Sequence, residues 1–147
     1  METPAEIVEW ERQAGRLILA FGSLEHAMIE LYRLFLPARN YDKDDFDDRF
    51  DKLIGALKQR NRSDAAIEAL VSLRQLSDTR HLLAHNPIYF DFFVHIPTGE
   101  LVFENSITDR RRDQRITLDQ LQNQAATASD AVKVVYSEFG TEMWAGT

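Results

Sequence analysis

The sequence predicts an all-α fold, a four-helix bundle with a small β-hairpin inserted between the third and fourth main helices. Four segments have the composition and apolar spacing of helices, and one β-branched and aromatic segment separates the last two. The chain has 147 residues, of which 44% are hydrophobic and 28% charged, and this suits one soluble domain with its own core. We therefore expect a single domain over residues 1–147.

The first helix begins near Ile7 and is stopped by Pro37. Its apolar residues follow spacings of three and four, at Ile7, Trp10, Ala14, Leu17, Phe21, Leu24, Met28, Leu31 and Phe35. A second row on the same segment is formed by Ile18, Ile29, Tyr32 and Leu36. Two apolar rows predict that this helix is covered on two sides. Glu25 lies in the second row, so we expect its carboxylate to be half-buried.

The second helix is short, ends near Arg60, and follows an acidic stretch from Tyr41 to Asp51. The later aspartates of this stretch favour a helix N-terminus, and we expect the stretch to stay in water. Ser63 caps a third helix that runs for about 23 residues to about His85 and stops at Asn86-Pro87. Because its plainly polar positions occupy one narrow sector, this helix is expected to be central or packed on both sides.

The hairpin is predicted at about residues 88–104, with its turn at Pro97-Thr98-Gly99. A basic stretch, Arg110 to Arg115, follows the hairpin. These arginines either contact phosphate or pair with the aspartates between Asp42 and Asp51, and the sequence leaves both interpretations open.

The last helix begins after Thr117, with Gln120 three residues later as in a capping box. Its core positions repeat the same spacing, at Leu118, Leu121, Ala125, Ala128, Val132, Val135 and Phe139. A flexible C-terminal tail is expected over about residues 140–147.

Charge and composition narrow the function classes. There are 17 Lys and Arg against 24 Asp and Glu, and the net charge of -7 argues against indiscriminate binding to nucleic acid or an anionic membrane. No apolar run reaches the roughly 20 residues of a membrane span. The acidic N-terminus is unlike a signal peptide, and the chain has no cysteine. We expect a cytoplasmic protein without a membrane partner.

The end of the third helix contains the most informative residues. Its polar row is formed by Arg74, Asp78, His81 and His85, at positions i, i+4, i+7 and i+11. These positions share one face and continue an apolar stripe. Buried charges and imidazoles are costly unless they are partnered or used. We therefore expect another helix, a second subunit or a ligand to meet this row.

The segment Arg80-His81-Leu82-Leu83-Ala84-His85, followed by Asn-Pro, resembles the R-x(4-6)-H motif of HEPN domains. It is also similar to the R-N-x-L-A-H-N strings of bacterial HEPN proteins. The resemblance implies a homodimer through the Arg74–His85 helix, with a composite cleft formed by both subunits. In catalytic HEPN proteins this cleft is a metal-independent endoribonuclease site.

The resemblance implies that Arg80 and His85 are the catalytic residues. A histidine can take the proton of a ribose 2′-hydroxyl or protonate the leaving 5′-oxygen, and an arginine can hold the phosphate. The products would be a 2′,3′-cyclic phosphate and a 5′-hydroxyl. The supporting residues are His81, Asp78, Arg74 and Glu25. Arg74 is the second candidate, beside Arg80, for binding phosphate or RNA.

The implied site has no cofactor and no metal, and its partners are RNA or a nucleotide and an antitoxin protein. One alternative function is a non-catalytic HEPN-like module that binds nucleotide, RNA or a protein. Another interpretation is structural, since Arg80 and His85 suit the carbonyl-rich end of a helix. A third is a metal site, because His81 and His85 have the i, i+4 spacing of two ligands, with Asp78 as a third candidate.

Overall fold

The computed structural model describes residues 4–85, 88–95, 97–108 and 115–145. The helices in these ranges are α1 (Pro4–Phe35), α2 (Phe46–Gln59), α3 (Asp64–Gln75), α4 (Ser77–His85) and α5 (Leu118–Trp144). The strands are β1 (Ile88–His95), β2 (Glu100–Thr108) and β3 (Arg115–Thr117). A mainly helical fold with a β-hairpin before the last helix is therefore confirmed. Among the described residues, no helix has the length and apolar character needed to cross a membrane.

The core forms mainly where α1 packs along α5, with α2 and α3 closing its sides. The largest fully buried side chains include Trp10, Leu17 and Phe21 of α1 and Phe139 of α5. The rings of Phe35 and Phe139 meet edge to face at 5.6 Å. The spacings of three and four therefore predicted the buried faces of both long helices, except at Ile7, which is 39% exposed near the start of α1.

The second apolar row of α1 is not buried along its whole length. Tyr32 is buried, whereas Ile18 and Ile29 are 45% and 47% exposed. The expectation that α1 is covered on two sides is therefore wrong at these two positions within one chain. The physical reason is geometric, because α5 and α2 pack on the opposite face of α1.

The predicted third helix is interrupted at Leu76, which separates α3 from α4. The Leu76 N–H donates to the carbonyl of Leu73 at 3.0 Å, a tightened i to i−3 bond, and the Arg80 N–H donates to the Leu76 carbonyl at 3.1 Å. Side chains on both sides of the break bind α2, since Arg74 pairs with Asp51 and the Ser77 hydroxyl donates to Asp47. The predicted single helix to His85 is therefore wrong, and its polar row is divided between two helices.

The start of α2 is tied to α1 through Asp44. The Tyr32 hydroxyl donates to Oδ2 of Asp44 at 2.8 Å, the Lys52 ammonium binds Oδ1, and Arg39 lies 3.6 Å away. The hydrogen bond from Lys52 lowers the pKa of Asp44 to about 2. Asp45 then caps α2 by accepting from the Asp48 N–H at 2.9 Å. The cap was expected, but the half-buried position of Asp44 was not.

The strands form one antiparallel sheet in the order β1-β2-β3. Ile88 pairs with Ile107 and His95 with Glu100 across the first two strands. Gly99 has a φ of 69°, a left-handed conformation that suits glycine in this turn. The hairpin extends beyond the predicted residue 104, and β3 was missed because three residues carry too little pattern to predict a strand.

The capping box at the start of α5 is present as predicted. The Gln120 N–H donates to the Thr117 hydroxyl at 3.3 Å, and the Thr117 N–H donates to Oε1 of Gln120 at 3.0 Å. At its other end α5 continues to Trp144, with Met143 buried. Residues 140–144, which were expected to belong to a flexible tail, are therefore helical because the apolar face of α5 continues through them.

The contacts of the ionised Asp44 carboxylate should contribute to the free energy of unfolding, and this contribution should be lost in acid. The folded-state pKa of about 2 lies below the unfolded value of roughly 3.9. This contribution is thus present above pH 4 and is lost as the pH falls through about 2. Between pH 4 and pH 2, the free energy of unfolding should fall less steeply for Asp44→Asn than for wild type, as measured by urea denaturation. Asp42→Asn removes an exposed charge and should keep the wild-type slope; equal slopes for all three proteins would contradict the prediction.

Candidate functional site

A cleft of about 350 Å³ lies between the N-terminal end of α2 and α4. Its lining residues are Asp45, Phe46, Asp47, Asp48, Ser77, Asp78, Arg80 and His81. Three of the residues implied by the sequence motif, Asp78, Arg80 and His81, therefore share one cleft. A guanidinium, an imidazole and several carboxylates can together bind a polar ligand and exchange protons with it.

Arg80 is oriented by contacts with two other helices. Its Nη2 donates to Oε1 of Glu25 at 3.3 Å, and its guanidinium carbon lies 5.1 Å from the centre of the Phe46 ring. The ring face attracts the cation. The side chains of Arg80 and Glu25 are each 37% exposed. Arg80 is thus held in one orientation while remaining in contact with water.

The Phe46 ring is itself supported by the core. It packs against Phe21 of α1 at 5.9 Å and against Phe50 of α2 at 5.2 Å. Because Phe21 and Phe50 are fully buried, the partly buried ring under Arg80 packs directly against the core. Glu25 and Phe46 therefore connect the position of Arg80 to the packing of α1 and α2.

Arg74 is oriented towards α2 and binds Asp51. Its Nε donates to Oδ1 at 2.8 Å and its Nη2 to Oδ2 at 3.2 Å, which is the bidentate geometry of an arginine and a carboxylate. Hydrogen bonding to Asp51 raises the pKa of Arg74. Arg74 does not itself line the cleft, although two lining residues, Asp47 and Asp78, lie near enough to contribute to its raised pKa. A phosphate would have to displace Asp51 in order to bind Arg74.

The two motif histidines are described to different extents. His81 is exposed and lines the cleft. The backbone of His85 ends α4, but its side chain lies outside the described part of the structure, as do Asn86-Pro87 and residues 109–114 of the basic stretch. Positions 80 and 85 are five residues apart, about 140° around the helix and 7.5 Å along it. Positions 81 and 85 are one turn apart.

One wall of the cleft was not predicted as part of a site. This α2 wall is formed by Asp45, Phe46, Asp47 and Asp48, whose aspartates were expected to form a solvated helix cap, and Ser77 of α4 was likewise not predicted. The Ser77 hydroxyl donates to Oδ1 of Asp47 at 3.1 Å, which places this wall beside α4. No sequence pattern relates residues 45–48 to residues 77–81. The one feature of the sequence that could have suggested their proximity is the opposite charge of these aspartates and of Arg74 and Arg80.

The cleft carries more negative than positive charge. Four aspartates line it with one arginine, and their field opposes the binding of a phosphate. Within residues 4–85, 88–95, 97–108 and 115–145, His, Asp and Glu side chains form no group of three or more that could hold a metal ion.

Comparison of the chain with protein-family models, curated proteins and solved structures finds no match.

The contact between Glu25 and Arg80 predicts a small, measurable coupling. Because both side chains are partly exposed, a double-mutant cycle of Glu25→Gln and Arg80→Gln should give a coupling of about 0.2–1 kcal/mol in the free energy of unfolding. The measurement is urea denaturation of the four proteins. Glu30→Gln with Arg80→Gln is the control cycle, since Glu30 pairs with Arg33 instead. Equal couplings in the two cycles would contradict a specific Glu25–Arg80 contact.

Proposed function

We propose that this chain is a HEPN-like homodimeric protein that cleaves RNA without a metal ion, through Arg80 and His85. The observation that supports the proposal is the position of Arg80, which is held against Glu25 and Phe46 at a cleft that also contains His81. An arginine that is oriented but still partly exposed can bind the phosphate of an incoming strand. The motif spacing then places His85 at the end of the same helix.

In the proposed reaction, the ribose 2′-oxygen attacks the adjacent phosphorus and the bond to the 5′-oxygen breaks. His85 accepts the 2′-hydroxyl proton, and the imidazolium formed in this way donates a proton to the leaving 5′-oxygen, which yields a 2′,3′-cyclic phosphate and a 5′-hydroxyl and regenerates neutral His85. Arg80 stabilises the charge that develops on the phosphate. Glu25 orients Arg80, whereas His81 and Asp78 orient the substrate or His85.

The functional unit in this proposal is a dimer through the Arg74–His85 segment. The different sides of α4 occupied by positions 80 and 85 fit a composite cleft, in which the arginine of one subunit works with the histidine of the other. Arg74 contributes positive charge when it exchanges Asp51 for phosphate.

RNA cleavage tests the proposal directly. The full chain is incubated with single-stranded RNA in EDTA, and the ends are analysed for 2′,3′-cyclic phosphate. Arg80→Ala and His85→Ala should each lower the rate by about 100-fold or more, the contribution expected of a phosphate ligand and an acid-base residue. Arg12→Ala and His95→Ala are matched controls and should keep the wild-type rate. Absence of cyclic ends with wild type, or full cleavage by Arg80→Ala, would overturn the proposal.

A second candidate is a non-catalytic HEPN-like module that binds a protein. The acidic lining of the cleft favours it, because four aspartates attract a basic partner and repel RNA. In this alternative Arg80 and Glu25 hold the wall of a docking site, and cleavage is not part of the function.

Charge neutralisation in the α2 wall separates the two candidates. If RNA enters the cleft, Asp47→Asn/Asp48→Asn should raise RNA affinity at low salt, and the gain should shrink as salt screens the aspartates of wild type. The measurement is fluorescence anisotropy with a labelled RNA at several salt concentrations. Asp119→Asn/Asp130→Asn removes two exposed charges from α5 and should leave the affinity near that of wild type. An unchanged affinity in the first variant would place any RNA site elsewhere and favour the protein-binding candidate.

A further inference from the structure

One face of α1 exposes large apolar side chains and two glycines. Ile18, Leu19 and Ile29 are 45%, 74% and 47% exposed. At 100° per residue, these three residues and the glycines Gly15 and Gly22 fall within about 100° of the helix circumference. We call these five residues the outer face of α1. Several large apolar side chains exposed on one helix face are typical of an interaction site.

The packing of a single chain does not account for the glycines of the outer face. A methyl group built at Gly15 or Gly22 meets no atom within 4 Å among the described residues. Glycine in a helix interior is less favourable than alanine, so two glycines seven residues apart weaken α1 without serving contacts within the chain. Small residues two turns apart allow a second helix to approach closely.

We propose that the outer face of α1 binds the same face of a second copy of this chain, with the two α1 helices antiparallel. The occupant is a second copy because the face is complementary to itself. When the two-fold axis passes between Ile18 and Leu19, Gly15 of one copy lies at the level of Gly22 of the other. The apolar pair Ile18 and Leu19 meets its symmetry mate at the centre.

The ends of the face match in the same register. Val8, which is 52% exposed, lies at the level of Ile29 of the second copy. Glu11 lies at the level of His26, and both are exposed. In this register Gly15 faces Gly22, apolar side chains face apolar side chains, and Glu11 faces His26. The two-fold symmetry makes each of these contacts occur twice.

The outer face borders the cleft. Glu25, which binds Arg80 of α4, comes seven residues after Ile18 and four before Ile29, in the same helical row. The proposed contact through α1 uses a surface different from the Arg74–His85 segment, and Glu25 connects the two because it lies on α1 and binds Arg80 of α4. The inference concerns association alone and holds whether or not the protein cleaves RNA.

Disulfide cross-linking tests the register, because the chain has no native cysteine. Leu19→Cys lies beside the proposed two-fold axis, so under mild oxidation the full chain should give a covalent dimer. Val8→Cys is the matched control on the same helix face; its symmetry mate is about 30 Å away along the helices, so it should stay monomeric on a non-reducing gel. Mixing Val8→Cys with Ile29→Cys should restore a covalent dimer. Equal cross-linking of Leu19→Cys and Val8→Cys would overturn the register.

Sedimentation equilibrium tests the contact itself. Leu19→Glu should raise the dimer dissociation constant by about tenfold or more, because it places two like charges at the axis. Val71→Glu introduces the same charge at an exposed apolar residue of α3, away from the outer face, and should keep the wild-type constant. Glu11→Lys should weaken the dimer and Glu11→Lys/His26→Glu should restore it, and neither alters a buried residue. A wild-type chain that is monomeric at about 100 μM, or a Leu19→Glu chain that dimerises as wild type does, would overturn the proposal.

Discussion

The burial of one face of α1 against α5 is the constraint on which the rest of the structure depends. A helix of 32 residues is about 48 Å long, so it contacts both α5 and α2 and also reaches α4. Its buried residues fix its rotation about its own axis. Once that rotation is fixed, Tyr32 reaches Asp44, Phe21 supports Phe46, and Glu25 reaches Arg80. Both walls of the cleft therefore take their positions from one helix.

Short sequence patterns predicted the structural features that are stabilised by contacts between neighbouring residues of the chain. The spacing of α1 and α5, the Ser63 cap of α3 and the box of Thr117 and Gln120 all act within one or two turns, and each is present. The break at Leu76 depends on contacts from α2 to Arg74 and Ser77, which are distant in sequence. No glycine or proline lies at the break between α3 and α4. The helix propensities of the residues around Leu76 therefore do not predict a division between α3 and α4.

The same distinction explains which parts of the site could be predicted. Glu25 was selected from the sequence because it is a carboxylate in an otherwise apolar row, whereas its partner Arg80 is identified only by the structure. The acidic wall of the cleft was not identified, because Asp47 and Asp48 are ordinary residues for the first turn of a helix. Their second role follows from the approach of α4, which no pattern within residues 42–51 encodes.

Glu25 connects the chemistry of the cleft with the outer face of α1. It stands between Ile18 and Ile29 on the same helical row, and its carboxylate binds Arg80 at the edge of that face. A partner that covers Ile18 and Ile29 removes water from one side of the Glu25–Arg80 pair. Removing water lowers the local dielectric constant and strengthens the attraction, which restricts the guanidinium further. If the chain associates through α1 as proposed, covering Ile18 and Ile29 would therefore restrict Arg80 further.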